Sequence, residues 1–280
     1  MADRAQLEYV ASAGYGLENA DASELLVLLH GLGADRAQPL DLIPDAARLR
    51  LTTLAIDFRA HGDTRVIGGS DDFTLDGLLA DLIAVVRSLG QADRPTHLVG
   101  ISMGAGVALR AAVTRSFDLR SLTLVRPAFT DESIPDHLAV MHRIAEFLDR
   151  PDPDAAADEF ATTAEYLRVA SVSAASAESL RRQFSEPRAR ERAVRFHAVP
   201  SNVAYRHPAE LQVIDAPTLV VGARDDPIHP IAVAETWAAA IPEARLASVV
   251  SRDVDAVGHR SATRTLIGEH LLHAVTGPGG

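Results

Sequence analysis

A serine lies between two glycines in residues 100–104, which read Gly-Ile-Ser-Met-Gly. Thr96–Val99 directly before it reads as a buried strand, and a helix is predicted to begin directly after it. Such a sharp turn holds the serine in a strained backbone conformation and projects its hydroxyl clear of the sheet. A side chain at either glycine would collide with neighbouring backbone. The pattern therefore predicts Ser102 as a nucleophile.

A serine hydroxyl is a poor nucleophile at neutral pH, so Ser102 would need a histidine base and a carboxylate that orients this base. Two aspartates, Asp225 and Asp226, follow the predicted strand Thr218–Val221. His259 follows a further apolar run. The chain order is therefore serine, aspartate, histidine, and the spacing alone leaves Asp225 and Asp226 open as the acid.

Short apolar runs alternate with helical patterns along most of the chain, which is typical of an α/β fold with a parallel sheet between layers of helices. The predicted strands are Leu25–Leu29, Leu51–Ile56, Thr96–Ile101, Leu119–Val125 and Thr218–Val221. Two helices, Leu75–Leu89 and Met103–Arg115, are predicted between them, and the first has one apolar face. The candidate residues therefore lie at the ends of strands.

The alternation stops after Pro127, and the next long segment contains only helical patterns. These are Ile134–Leu148, Ala155–Val172, Ser176–Phe184 and Arg188–His197. A helical block between two strands of one sheet is most simply a cap over the carboxyl edge of that sheet. We therefore predict a core domain of residues 1–129 and 208–280 and a helical cap of residues 130–207.

Composition excludes several kinds of chemistry. The net charge is −11, from 27 basic and 38 acidic residues, which disfavours binding to nucleic acid or to an anionic membrane. All 27 basic residues are arginines, so lysine Schiff bases are excluded, and the absence of cysteine excludes thiolate chemistry. Neither a nucleotide-binding glycine motif nor a convincing set of metal ligands is present, so no cofactor and no metal are expected.

The amino-terminal ten residues carry three charges and lack the apolar core of a signal peptide. The longest apolar stretches have only the length of a strand. We expect a cytoplasmic protein that acts on a small molecule and binds neither nucleic acid nor membrane. The sequence leaves open whether it forms homo-oligomers.

Four stretches together resemble the α/β-hydrolase fold family, in particular its lidded branch of esterases, cofactor-independent haloperoxidases, epoxide hydrolases and carbon–carbon bond hydrolases. They are His30–Gly33, Asp57–Gly62, the turn at Ser102, and Pro217–Pro230 with His259. The resemblance covers most of the chain apart from the cap. It implies a mostly parallel, eight-stranded sheet with helices on both faces and an inserted helical cap.

Carried over residue by residue, the resemblance implies catalytic roles for three residues. Ser102 would be the nucleophile and His259 the general base. An ungapped alignment of the strand at 217–221 through to Pro230 favours Asp226 over Asp225 as the acid that orients His259. The loop before His259 is longer and more acidic than in many relatives, so an aspartate at 253 or 255 would be a competing partner.

The oxyanion of the reaction needs backbone N–H donors. Met103, the residue after the nucleophile, would supply one, and the resemblance implies that Leu32 supplies the other. His30 is interpreted as support for that loop, and the turn Asp57–Gly62 as scaffold.

Arginines near the expected site have two interpretations each. Arg126 follows the strand Leu119–Val125, where its guanidinium would either clamp a substrate carboxylate or form a salt bridge at the base of the cap. The segment Arg181–Arg195 contains six arginines and two glutamates. We interpret that segment as a solvated cap helix rather than as a surface that attracts anions.

The leading hypothesis is a serine hydrolase that cleaves a carboxylic ester, thioester or lactone through an acyl-enzyme on Ser102. We expect the substrate to be a small, apolar metabolite, and the cap alanines at 155–157 and 174–175 would leave room for a bulky apolar group. A first alternative is a cofactor-free carbon–carbon bond hydrolase, lyase or perhydrolase that uses the same residues. A second is a ligand-binding protein that retains the fold without catalysis.

Overall fold

The computed structural model describes residues 4–150 and 152–275. Their seven strands form one sheet, in the order β1-β3-β2-β4-β5-β6-β7. Only β1 is antiparallel to its neighbour, and the other pairs are parallel. The strands are β1 (Tyr15–Glu18), β2 (Leu25–Leu29), β3 (Thr52–Ile56), β4 (Thr96–Ile101), β5 (Leu119–Val125), β6 (Thr218–Ala223) and β7 (Arg245–Val249).

Twelve α-helices are present in the same residues. They are α1 (Arg4–Ser12), α2 (Ala37–Leu40), α3 (Asp45–Arg48), α4 (Leu75–Ser88), α5 (Met103–Val113), α6 (Ala139–Leu148), α7 (Pro153–Phe160), α8 (Ala164–Val172), α9 (Ala174–Arg182), α10 (Val194–Ala198), α11 (Ile231–Ala240) and α12 (Ala256–Val275). Three short 3-10 helices lie at Ser70–Phe73, Val199–Ser201 and Pro208–Val213. In the described part of the chain, none of these helices is both long and apolar enough to cross a membrane.

The central strand β2 shows why the sheet is covered on both faces. All five of its residues are buried, and successive side chains of a strand point to opposite faces. Leu25, Val27 and Leu29 pack in one core with α1, α4, α5 and α11, whereas Leu26 and Leu28 pack in a second core with α3 and α12. The α/β architecture predicted from the alternating sequence pattern is confirmed.

The sheet has seven strands in the described residues rather than the eight that the resemblance implied. The chain before β1 forms the helix α1, which packs against α4. Its Tyr9 is fully buried, and the tyrosine O–H donates a hydrogen bond to the Asp57 carbonyl at 2.9 Å. The described chain therefore enters the sheet from an anchored helix.

Residues 130–207, here named the helical insertion, contain α6 to α10 and no strand among those described. The single helix predicted over residues 155–172 is divided into α7 and α8. The Thr163 side chain accepts a hydrogen bond from the N–H of Tyr166 and begins α8, and the Ser173 side chain does the same for Ser176 and begins α9. These polar caps interrupt a pattern that periodicity alone reads as continuous.

Candidate active site

Ser102 lies in the turn between β4 and α5. Its φ of 52° is in the left-handed region, which is costly for a residue with a side chain. A Cβ atom at Gly100 would overlap the carbonyl of Gly104, and one at Gly104 would overlap the carbonyl of Leu29. Both glycines are therefore sterically required, and the strained serine turn is present as the sequence predicted.

The side chain of Ser102 is hydrogen-bonded to a histidine. Its Oγ lies 2.9 Å from Nε2 of His229, and Nδ1 of His229 lies 3.0 Å from Oδ2 of Asp226. Both Asp226 and His229 are largely buried, with side chains 7% and 8% exposed. In the tautomer that fits these contacts, Nδ1–H donates to the carboxylate and Nε2 accepts from the serine hydroxyl. The three side chains form a continuous hydrogen-bonded series, a geometry in which a histidine can accept the proton of a serine hydroxyl.

A short turn after β6 supplies both the acid and the histidine. Oδ1 of Asp226 accepts the backbone N–H groups of Ile228 and His229, each at 3.1 Å. Because the carboxylate closes its own turn with one oxygen, the other oxygen is held toward the imidazole ring three residues later. The backbone thus fixes the geometry of the Asp226–His229 pair locally.

The expectation that His259 contacts Ser102 is wrong. His259 lies in the first turn of α12, and its Nδ1 is 2.7 Å from the carbonyl oxygen of Val250. No hydrogen bond joins it to Ser102 in residues 4–150 and 152–275. His229, which was not singled out from the sequence, lies beside Ser102 instead. The signal available for it was a histidine three residues after Asp226.

The structure separates the candidate acids. Asp225 is exposed, whereas Asp226 contacts His229. Asp253 accepts hydrogen bonds from the Ser173 hydroxyl at 2.5 Å and from the Ala175 N–H at 2.9 Å, which ties this loop to the start of α9. The carboxylate at position 255 accepts the N–H of Gly258 instead of contacting His259.

Arg126 also contacts the acid. It follows β5, its side chain is 13% exposed, and its Nη1 lies 3.6 Å from Oδ2 of Asp226. The residue lines the cavity above Ser102 as well. The salt-bridge interpretation therefore has a defined partner, and binding of a substrate group by Arg126 stays a prediction.

The electrostatic surroundings keep the acid ionised and the base neutral. Burial raises the pKa of Asp226, but the charges of His229 and Arg126 and the hydrogen bonds to the carboxylate outweigh it and hold that pKa well below its usual range. Burial lowers the pKa of His229, and the positive charges of Arg126 and Arg252 lower it further against the opposing pull of Asp226. A neutral imidazole beside an ionised carboxylate is the state in which histidine can accept a proton.

Two backbone N–H groups near Ser102 are available to an oxyanion. Neither Leu32 N–H nor Met103 N–H takes part in a hydrogen bond within the described residues. The loop that carries Leu32 is held on both sides, because Gly31 N–H donates to Oε1 of Gln38 at 2.8 Å and Gly33 N–H donates to His61 at 3.1 Å. The loop is thus fixed without use of the two candidate donors.

Two neutral histidines support this loop. His30 Nδ1 contacts the Gly31 carbonyl at 2.8 Å, and its Nε2 accepts the N–H of Phe58 at 3.0 Å. Burial lowers the pKa of His30 to about 4, and burial together with Arg195 and His30 lowers the pKa of His61 as well. The interpretation of His30 as a loop support agrees with these contacts.

The turn after β3 is likewise built as scaffold. The buried carboxylate of Asp57 accepts the N–H of Arg36 at 2.7 Å and the N–H of Asp63 at 2.9 Å, and it pairs with the Arg36 guanidinium. Arg59 forms two hydrogen bonds with Asp81, each 2.7 Å long. The charged side chains of this turn are therefore already paired with partners in the scaffold.

A cavity of about 620 Å³ lies between the helical insertion and the ends of the strands, and Ser102, His229 and Leu32 line it. Its lining includes five arginines, namely Arg126, Arg182, Arg192, Arg195 and Arg252. Three carboxylates, Asp35, Asp63 and Glu186, also line it. Neither alanine stretch thought to leave room for an apolar substrate lines this cavity. In the described part of the chain, no group of three metal-ligating side chains occurs.

Residues 26–265 match the model of the alpha/beta hydrolase family. The chain belongs to this family. The matched range contains the serine turn at Ser102, the loop with Asp226 and His229, and the whole helical insertion.

The similar curated sequences align with this chain over only part of their length. Monoacylglycerol lipase abhd6-A of Xenopus laevis is 34% identical over 104 residues, which is 37% of this chain and 30% of that protein. The pimeloyl-[acyl-carrier protein] methyl ester esterase of Neisseria meningitidis serogroup B is 34% identical over 125 residues, which is 42% of this chain and 43% of that protein. The alignment thus covers less than half of either relative.

Solved structures match nearly the whole chain. The enol-lactonase from Burkholderia xenovorans LB400 has a TM-score of 0.70 at 20% identity and covers 93% of this chain and 96% of its own. At that identity the similarity establishes the fold and leaves the substrate open.

Proposed function

We propose that the chain is a serine hydrolase that cleaves a carboxylic ester, thioester or lactone through an acyl-enzyme on Ser102. The observation that carries the proposal is the hydrogen-bonded series from Ser102 through His229 to Asp226. The relatives named as a monoacylglycerol lipase and a methyl ester esterase support an ester as the substrate.

The acylation step follows from these positions. Oγ of Ser102 attacks the carbonyl carbon while its proton moves to Nε2 of His229. The carbonyl oxygen becomes an oxyanion and accepts the N–H groups of Leu32 and Met103. When the tetrahedral species collapses, the imidazolium gives its proton to the leaving oxygen or sulfur, and the acyl group stays on Ser102.

Deacylation uses the same groups with water as the nucleophile. His229 takes a proton from water, the resulting hydroxide attacks the acyl carbon, and the imidazolium returns the proton to Oγ of Ser102. The products are a carboxylic acid and an alcohol or thiol, or a hydroxy acid from a lactone. The ionised Asp226 stabilises the imidazolium in both halves of the reaction.

Labelling with a fluorophosphonate probe tests whether the nucleophile is activated. We expect stoichiometric labelling of the protein, with the adduct located at Ser102 by peptide mass spectrometry and none on the folded Ser102→Ala variant. A folded wild-type protein that is not labelled would refute an activated serine and would favour the ligand-binding alternative.

Two histidine variants test the assignment of the base. His229→Ala is expected to lower kcat for a para-nitrophenyl ester by about ten-thousand-fold, because proton transfer from Ser102 is lost. His259→Ala is expected to cost less than about tenfold, because that ring contacts the Val250 carbonyl. A larger loss of kcat in His259→Ala than in His229→Ala would instead assign the role of base to His259.

The rate at which simple nitrophenyl esters are turned over also distinguishes an ester hydrolase from the carbon–carbon bond hydrolase, lyase or perhydrolase alternatives. Efficient turnover of simple nitrophenyl esters supports the ester hydrolase. Probe labelling of Ser102 combined with only marginal ester turnover would favour one of the alternative reactions.

A further inference from the structure

Two arginines of the helical insertion, Arg192 and Arg195, are buried at the cavity that contains Ser102. They are 7% and 2% exposed, and both line the cavity. Arginine is among the residue types that are almost never fully buried without a partner. The solvated helix predicted for residues 181–195 is therefore wrong for these two positions.

Each guanidinium is fixed by the core domain but has donors left over. Nη2 of Arg192 donates to the Gly62 carbonyl at 2.8 Å, and Nη1 of Arg195 donates to the Ala60 carbonyl at 2.7 Å. A guanidinium carries five N–H donors. The Nε atoms of both arginines are buried without a hydrogen-bond partner in the described residues. Main-chain carbonyls thus position two cations whose hydrogen-bonding capacity is not filled.

The charges of the two arginines are not neutralised by a contacting carboxylate. No carboxylate of the described residues forms an ion pair with either guanidinium, although Glu186 lines the same cavity. Burial and the charge of Arg192 lower the pKa of Arg195 to about 10, so Arg195 remains protonated at neutral pH. Buried cations with unfilled donors are costly unless an anion pairs with them.

We propose that Arg192 and Arg195 form an anion subsite that binds a carboxylate or phosphate group of the substrate while its scissile carbonyl lies at Ser102. The inference rests on the proposed function for the carbonyl end and gives the substrate class. That substrate is an ester, thioester or lactone with a remote anionic group. Guanidinium groups suit this role because their planar donors match carboxylate and phosphate oxygens.

A matched set of substrates tests the subsite by kinetics. Para-nitrophenyl hydrogen glutarate carries a free carboxylate, its methyl ester is a neutral counterpart, and the analogue with a terminal phosphonate carries the other anion. Nitrophenolate release is measured after the uncatalysed rate is subtracted. The measured quantity is the ratio of kcat/KM for each anionic ester to kcat/KM for the neutral ester, which cancels losses common to all three.

We expect the wild-type protein to prefer an anionic ester, and Arg192→Gln and Arg195→Gln each to lower that preference by about 10- to 100-fold, as loss of a charge-assisted hydrogen bond implies. Arg188→Gln is the matched control, because Arg188 is exposed in the same segment, pairs with Glu191 and does not line the cavity. Arg195→Lys keeps the charge and should retain part of the preference. Thermal unfolding of every variant identifies any that fails to fold.

A binding measurement keeps this proposal separate from the hydrolase proposal. Calorimetric titration of the Ser102→Ala variant with glutarate and with inorganic phosphate needs no turnover. Binding that weakens when Arg195→Gln is added supports the subsite even if the wild-type protein is not labelled by a fluorophosphonate. The anion that binds more tightly shows which group the subsite prefers.

Two results would overturn the subsite. One is equal kcat/KM for the anionic and neutral esters with no binding of either anion to the Ser102→Ala variant. The other is an anion preference that both Arg192→Gln and Arg195→Gln retain in full.

Discussion

The Asp226→Asn substitution replaces one carboxylate oxygen by an amide nitrogen and so tests the Asp226–His229 pair. The Asp226 carboxylate accepts Nδ1–H of His229 at 3.0 Å and keeps Nε2 free to accept the serine proton. An amide nitrogen in that position would donate to Nδ1 and would move the imidazole proton to Nε2, which faces Ser102. Because the histidine would then be in the wrong tautomer, we expect kcat to fall by about ten-thousand-fold, equivalent to about 5 kcal/mol of transition-state stabilisation.

The same substitution has a second, independent consequence for stability. The partner Arg126 is 13% exposed and lies 3.6 Å from the carboxylate, so Asp226→Asn leaves its charge buried without compensation. Breaking a buried pair on one side costs about 3 kcal/mol of the free energy of unfolding. Adding Arg126→Gln removes the unpaired charge, so the double variant should be more stable than the sum of the two single losses predicts.

The neighbouring aspartate supplies the control. Asp225 is exposed and has a φ of 57°, a conformation that asparagine adopts readily. Asp225→Asn should therefore change kcat by less than about twofold and the free energy of unfolding by less than about 0.5 kcal/mol. Ester kinetics and urea unfolding are measured on four variants, namely Asp226→Asn, Arg126→Gln, their combination and Asp225→Asn. A large loss of kcat in Asp225→Asn, with Asp226→Asn near wild type, would refute the reasoning.

Three further expectations test the turn, the base and the loop support. Gly100→Ala should destabilise the fold by more than about 2 kcal/mol in urea unfolding, because its Cβ would overlap the Gly104 carbonyl, whereas Gly16→Ala meets no atom within 4 Å and should not. Arg252→Gln should raise the pKa of the acidic limb of kcat/KM, since Arg252 lowers the pKa of His229; an unchanged limb would contradict this. Burial lowers the pKa of His30 to about 4, so the unfolded chain takes up this proton first as the pH falls below about 6.5. The acid-induced loss of stability between about pH 7 and about pH 4.5 should then be about 2 kcal/mol smaller in His30→Gln, and an equal loss would show that this ring is not the group that titrates.

The inner strands could be predicted because both faces of the sheet are covered there, whereas the largely exposed edge strands β1 and β7 were not predicted. Leu25–Leu29, Thr96–Ile101 and Leu119–Val125 coincide with β2, β4 and β5 to the residue. A strand that is covered on both faces is mostly apolar and ends where polar loops begin, so the limits of such a strand can be read from the sequence. Helix limits in the insertion depend instead on single capping side chains such as Thr163, which a periodic pattern does not register.

The strained turn at Ser102 and the buried position of Asp226 were predicted from local sequence, whereas the sequence favoured His259 over His229 as the histidine beside Ser102. The glycines around Ser102 are dictated by steric overlap within a few residues, which leaves a visible pattern. Which histidine reaches Oγ depends on the path of two separate loops. His259 matched the expected chain order, and His229 reaches the serine because the turn closed by Asp226 aims it there.

The burial of Arg192 and Arg195 could not be predicted from the sequence for a related reason. The six arginines of residues 181–195 look alike in sequence, and a run of charge is usually solvated. Arg192 and Arg195 are distinguished by the carbonyls of Gly62 and Ala60, which lie 130 and 135 positions away in the chain. Only the docking of the insertion onto the turn after β3 brings these donors and acceptors together.

Docking of the helical insertion also links the proposed anion subsite to the loop that carries the proposed oxyanion donor. Arg195 binds the carbonyl of Ala60, and the next residue, His61, accepts the N–H of Gly33 beside the proposed oxyanion donor Leu32. A substitution of Arg195 can therefore disturb the rate for every substrate through the loop, in addition to any loss of anion binding. A fall in rate by itself would not separate these effects. The ratio between anionic and neutral esters does, because a displaced Leu32 N–H weakens the transition state of both esters, whereas a lost guanidinium weakens only the anionic one.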